Sequence, residues 1–168
     1  KEKDLTLSKT ERLFKDAYFE AEKLKALGNY EKAITNFNKI INSTNDVSQH
    51  AYYYLGHSYL AINKKEEAAN AFKSSFDRFK LFELESNDQT GEQLAEKAYF
   101  NFSLLCYDIE NSLYNPIDVF NDFIIQYPDS ENLGEIYSYL SILYLSTSDY
   151  DNAISVLEKN VEEEGVSE

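Results

Sequence analysis

Apolar side chains recur along this chain three and four residues apart, in blocks of about a dozen residues broken by short polar runs. That is the period of amphipathic helices, not of strands. From Glu11 to Leu27 the positions Leu13, Ala17, Ala21 and Leu24 share one helical face, and Gly28-Asn29 breaks it. Asn29 is placed to cap a second helix, Tyr30 to about Asn42, with Ala33, Phe37, Ile40 and Ile41 on one side. The polar run Asn42 to Asp46 ends it, and Asp46 with Gln49 has the spacing of a capping box. The plan then repeats as Ala51 to Ile62, a turn at Asn63-Lys64-Lys65, and Glu66 to about Phe79. Lys80 to about Gln93, polar, acidic and containing Gly91, is predicted to be the longest and most flexible connection.

A third pair follows, with Ala98, Tyr99, Phe102 and Cys106 on its first helix. Asn111 to Tyr114 forms a turn, and Asn115-Pro116 supplies a cap with proline at the first helical position. Ile117, Phe120, Phe123 and Ile124 make the apolar face of the next helix, which Tyr127-Pro128-Asp129-Ser130 stops while capping its successor. The fourth pair covers Leu133 to Ser146 and Tyr150 to Val161, and Glu162 to Glu168 is an acidic tail.

These blocks are copies. Gly28-Asn29-Tyr30-Glu31-Lys32-Ala33-Ile34 returns as Ser148-Asp149-Tyr150-Asp151-Asn152-Ala153-Ile154, and Ala33, Phe37 and Ile41 return as Ala68, Phe72 and Phe76, 35 residues on. Such a period belongs to stacked helix-turn-helix units that bury their faces against one another. The expectation is an all-α array over 11–161, in units of about 11–45, 46–80, 94–128 and 130–161, after an N-terminal tail of 1–10.

The pattern resembles the tetratricopeptide repeat, most closely in the second unit. There Tyr52, Leu55, Gly56, Tyr59, Ala68 and Phe72 stand where that family carries its aromatics, its Leu-Gly pair, its small residue and its Phe. Small residues at 56 and 68 let the helix axes approach to about 8–10 Å. The first unit departs from the pattern at Ala17, Glu20 and Ala21. In the third, Pro116 is placed in the small-residue slot and Cys106 replaces an aromatic.

The resemblance implies an α-α superhelix of about four helix pairs whose first helices line a concave groove for a peptide or protein segment. By register that groove would hold Tyr18, Glu22, Lys25, Tyr53, Tyr54, His57, Phe100, Asn101, Tyr107 and Tyr139. Some of these aromatics would instead pack between repeats. The clamp by which some members hold a C-terminal carboxylate needs Lys, Asn and Arg. Here the matching positions are Tyr18, Glu22, Tyr54, Lys97 and Asn101, so one cation survives and chaperone tails are not expected ligands. The phrase from Phe120 to Ser130 is also similar to repeats of bacterial envelope proteins, such as the barrel-assembly lipoprotein and the Tol-Pal-associated periplasmic protein. It implies a bacterial origin and favours periplasm or envelope over cytoplasm.

Charge sharpens the partner class. The net charge is -14, unevenly spread: 1–80 hold 14 basic against 11 acidic side chains, and 81–168 hold 2 against 19. The acidic second half would repel a phosphate backbone, so nucleic acid is not an expected partner. It suits solubility, a basic partner, or head-to-tail self-association. No run of apolar residues is long enough to span a membrane. No phosphate loop, nucleophile elbow or zincin motif is present, and no enzyme or cofactor is expected. His50 and His57, seven residues apart on one helix, lie about 10.5 Å apart along its axis. That is too far to share a metal ion. Cys106 sits at a core position and reads as an inert thiol. The chain opens on Lys1 without methionine, as a processed protein or a fragment would, and the fourth pair is expected to leave Leu157 and Val161 uncapped. A structural segment of a longer array, stacking through that end, is therefore the alternative to a peptide-binding scaffold.

Overall fold

The computed structural model of the chain describes residues 9–42, 46–82 and 89–165, and these residues form eight α-helices with no strand among them. They are α1 (Lys9–Ala26), α2 (Tyr30–Ile40), α3 (Asp46–Ala61), α4 (Lys65–Phe82), α5 (Gln89–Asp108), α6 (Pro116–Gln126), α7 (Leu133–Ser146) and α8 (Tyr150–Gly165). They fall into two compact units, Lys1–Leu105 and Cys106–Glu168, with α5 contributing to both.

The turn inside a pair is set by one backbone device. Gly28, Asn63 and Ser148 occupy equivalent positions, and all three are left-handed, with φ of 74°, 59° and 59°. Around each the same two bonds close the preceding helix. Gly28 N donates to Lys25 O and Asn29 N to Leu24 O, as Asn63 N does to Leu60 O and Lys64 N to Tyr59 O. Ser148 N and Asp149 N bond Leu145 O and Tyr144 O in the same way. This is the Schellman closure, which favours glycine because a Cβ is strained there. The following helix then starts in identical register, since Ala33, Ala68 and Ala153 N each donate, at 3.0 Å, to the carbonyl of Asn29, Lys64 and Asp149.

Asn29 stands at the cap of α2 but makes no side-chain bond there. Asn115 Oδ1 does accept from Ile117 N, with Pro116 in the first turn of α6. Val119 N donates to Asn115 O, so the residue matching Ala33 is the buried Val119 and not Pro116. Asp149 accepts from Asn152 N and Nδ2, a charge placed where the helix dipole favours it. Ser130 Oγ accepts from Asn132 N, so it braces the turn before α7 while Asn132 takes the cap position.

The first unit buries Ala21, Ala33, Phe37, Ile40, Ala51, Leu55 and Ala71 in one cluster, with Ala17, Leu24 and Ile41 packed against it. Buried polar groups tie its helices together. Ser48 Oγ donates to Ile41 O, Ser75 Oγ to Gln49 O, and Gln49 Nε2 to Gly91 O. The capping box expected at Asp46–Gln49 rests on the Asp46 side chain, which lies outside the described residues, while the Gln49 amide nitrogen donates to a carbonyl 42 residues away. The expected flexible connection from Lys80 to Gln93 shrinks for the same reason. α4 continues to Phe82, α5 starts at Gln89, and Gly91 is buried where an added Cβ would lie 3.3 Å from the Phe79 ring. Gly91 is small for packing and breaks nothing.

In the second unit Val119, Phe120, Phe123, Leu133, Ile136, Tyr137, Leu140, Ala153 and Val156 form the buried set. α8 runs on to Gly165, through the start of the expected tail. Residues 1–8, 43–45, 83–88 and 166–168, on which parts of the expected tails and loops fall, lie outside the described residues.

Two substitutions test this account by urea denaturation. Ser148→Gly relieves a left-handed non-glycine residue, worth about 1–2 kcal/mol, against about 0.5–1 kcal/mol of added chain entropy. The expected net gain in stability is about 0.5–1 kcal/mol. Gly56→Ala has the opposite sign. Its Cβ would stand 2.8 Å from the buried Phe72 ring, and about 1–3 kcal/mol of overpacking outweighs the roughly 1 kcal/mol gained in helix propensity.

Candidate functional site

The absence of a side chain at Gly56 draws Phe72 of α4 onto α3, and the Phe72 ring then supports two residues on the neighbouring face of that helix. Tyr53 meets it edge-on at 5.7 Å between centroids and His57 at 5.0 Å. One helical turn apart, Tyr53 and His57 touch each other at 4.7 Å. Tyr54 packs on Tyr53 at 5.3 Å and lies 6.4 Å from the Phe37 ring. From α1, Lys25 reaches over Tyr54, with Nζ 4.2 Å from the ring centroid, while Glu22 Oε1 approaches that ammonium at 3.7 Å.

Lys25, Tyr53, Tyr54 and His57 wall an open cleft of about 470 Å³. Tyr30 and Ala61 complete the near wall, and Leu94 and Lys97 of α5 form the far one. Two lysines and no carboxylate line it. In a chain with nearly twice as many acidic as basic residues, that local excess of positive charge is the unusual feature. Burial, and secondarily the charge of Lys25, lower the His57 pKa from 6.5, so the imidazole is neutral at pH 7. Burial, and then Tyr54, raise the Tyr53 phenol above its ordinary value of 10.0. The cleft thus offers aromatic faces, neutral donors and two ammonium groups. That suits a ligand with an apolar anchor and a negative charge.

The residues expected from sequence divide three ways. Lys25, Tyr53, Tyr54 and His57 line the cleft, and Glu22 lies beside it, paired with Lys25. Phe100 is half-buried, and Asn101 Nδ2 donates back to Lys97 O on its own helix. In the second unit Tyr107 and Tyr139 meet at 4.7 Å, and Tyr139 stacks at 5.8 Å on the buried Phe120. The side chain of Tyr18 lies outside the described residues. Tyr30 and Leu94 were not expected. Tyr30 reads as a helix start, and Leu94 adjoins the stretch read as a connection. Lys97, the one cation at the clamp positions, shares this space with Lys25.

Elsewhere Cys106 is buried, which pushes its thiol up to about 11 against a small opposing effect of a bond with Ser112. It is no nucleophile at neutral pH. Among the described residues no group of three or more His, Cys, Asp or Glu could hold a metal ion, and no helix is long and apolar enough to cross a membrane.

Repeated helix pairs among the described residues define a class of fold, and comparison with solved structures bears out that fold. The chain is similar to two crystal structures of MamA, at 18% identity in each. TM-scores are 0.66 and 0.61, covering 92% and 90% of this chain and 80% and 73% of those. It is also similar to the crystal structure of BtubC (BKLC) from P. vanneervenii, at 15% identity and a TM-score of 0.66, over 98% of this chain and 68% of that one. MamA and BtubC are helical proteins of the tetratricopeptide-like kind, and the likeness shows this chain to have that solenoid fold. No family model and no curated protein sequence matches the chain.

The histidine gives a direct check on the cleft's electrostatics. An imidazole whose folded pKa is depressed contributes stability that is complete above pH 6.5 and is lost as pH falls through the folded value. In a proton NMR titration His57 is expected to titrate below 6.5, and Lys25→Met is expected to move the midpoint upward. An unshifted midpoint in the variant would show that Lys25 does not act on the ring.

Proposed function

We propose that the chain is a protein-interaction scaffold, not an enzyme, and that the cleft of its first unit holds a short segment of another protein. The observation that carries this reading is the composition of the cleft, aromatic on α3 and bounded by Lys25 and Lys97 without an acidic residue. A segment with an aromatic or aliphatic anchor beside an Asp, a Glu or a C-terminal carboxylate fits it. The anchor would lie against Tyr53 and Tyr54, and the anion between the lysines. Glu22 holds Lys25 in place, and Tyr18, Phe100 and Asn101 extend the surface by register. Tyr107 and Tyr139 offer a second aromatic site in the second unit. Protein is the partner class, and the acidic second half disfavours nucleic acid.

The similarity of residues 120–130 to envelope repeats supports an envelope setting less strongly. Phe120 and Phe123 are buried and Ser130 braces a turn, so packing already accounts for those residue types. The binding reading is independent of compartment.

Selection from a random-peptide library on the immobilised chain tests the proposal. Enriched peptides are expected to pair an aromatic or aliphatic residue with an acidic one. The double variant Lys25→Met, Lys97→Met is expected to bind them at least tenfold more weakly, a loss of about 1.4 kcal/mol. Salt is expected to weaken binding to the parent but not to the variant. Enrichment of basic peptides, or equal binding to parent and variant, would sink the reading.

A further inference from the structure

We propose that seating an acidic segment in the cleft of the first unit is coupled to protonation of His57, so that the cleft holds such a segment more tightly in mildly acidic surroundings than at neutral pH. This coupling presupposes the acidic-segment reading of the cleft and adds its regulation.

His57 stands half-buried in the cleft wall, one helical turn from Tyr53 and against the Phe72 ring. Charged and titratable groups meet it there from several helices. From α1 comes Lys25, with Glu22 Oε1 3.7 Å from that ammonium, and from α2 comes Tyr30. α3 itself adds Tyr53 and Tyr54, and α5 adds Lys97. From α4 the contact is the apolar Phe72 ring. The carboxylates of Glu67 and Asp77 on that helix pair with Lys64 and Lys73, outside the cleft lining. Of the side-chain types lining the cleft, imidazole alone ordinarily changes charge between about pH 5 and 8.

Burial first, and then the charge of Lys25, keep the ring neutral at pH 7. An acidic group drawn between Lys25 and Lys97 opposes the second of these effects. It brings negative charge into the space that His57 lines, and so favours the imidazolium. The gain is mutual, because the factor by which the anion tightens proton binding is the factor by which the proton tightens anion binding. Affinity is therefore flat above the titration midpoint of the liganded protein, rises as pH falls through it, and levels off below the midpoint of the free protein. Protonated His57 is then a third cation at the ligand. Unlike the two lysines, it is carried on a short side chain braced by Tyr53 and Phe72.

The test uses the full chain and two short peptides, one with phenylalanine beside cysteic acid and the other with serine in place of the cysteic acid. A sulfonate keeps its charge throughout, so a pH dependence of binding belongs to the protein. Both peptides are titrated against the chain by proton NMR at about pH 7.5 and about pH 5, on either side of the histidine range. The acidic peptide is expected to bind several-fold more tightly at the lower pH and to move the His57 midpoint upward by the corresponding factor. The serine peptide is expected to do neither. His57→Gln is expected to abolish the tightening, and His50→Gln, on the same helix but outside the lining, to keep it. Acidic-peptide binding that ignores pH, or tightening that survives His57→Gln, overturns the coupling and leaves the cleft reading standing. Failure of the acidic peptide to bind at either pH, or affinity no greater than that of the serine peptide at both, overturns the two together.

Discussion

The approach of Phe72 to the bare Cα of Gly56 is the contact on which the first unit depends. A Cβ at residue 56 would stand 2.8 Å from that ring, closer than carbon atoms pack. Because the space is open, α4 lies close against α3 and the ring is fully buried. The same ring supports Tyr53 and His57, so the close crossing of two helices and the shape of the cleft wall follow from one missing side chain. Burial against that wall, together with Lys25, keeps His57 neutral. Packing and electrostatics are therefore coupled here, and a change at Gly56 is felt by the cleft as well as by stability.

The left-handed residue between the helices of a pair is the second constraint. A Schellman closure fixes where one helix ends and, one residue later, where the next begins. With Gly28, Asn63 and Ser148 in that slot, the second helices of three pairs start in one register, and their apolar positions fall at the same count from the turn. The third pair reaches the same register by another route, through Asn115 and Pro116. Phe37, Phe72, Phe123 and Leu157 are thus one position repeated four times.

Much of this was legible in the sequence because its causes are local. The 35-residue period, the turns and the faces of α1 to α4 all follow from helical spacing and turn chemistry within a few residues. The readings that failed had distant causes. Gly91 looks like a breaker in a polar stretch, yet it is small because Phe79 sits against it. Pro116 seems to occupy the small-residue slot until the bond from Val119 N to Asn115 O shows where the helix is counted from. For the candidate site, Tyr53, Tyr54 and His57 follow from the face of a single helix. The meeting of Lys25 with Lys97 does not, because residues 72 positions apart are brought together only by the packing of helices.

The division of charge between halves, read as a sum, points to a repulsive acidic surface, and it conceals what the surfaces do. A charge acts over about 8 Å at physiological ionic strength, so the sign that a ligand meets is set by the few side chains around it and not by a total of -14. At the cleft those side chains are Lys97 and Lys25, the latter partly offset by Glu22 at 3.7 Å. Along α8 they are Asp151, Glu158 and Glu162, with Lys159 the helix's one basic residue. Two surfaces of opposite local sign thus lie on one chain, and its overall charge is a poor guide to what a ligand would meet at either.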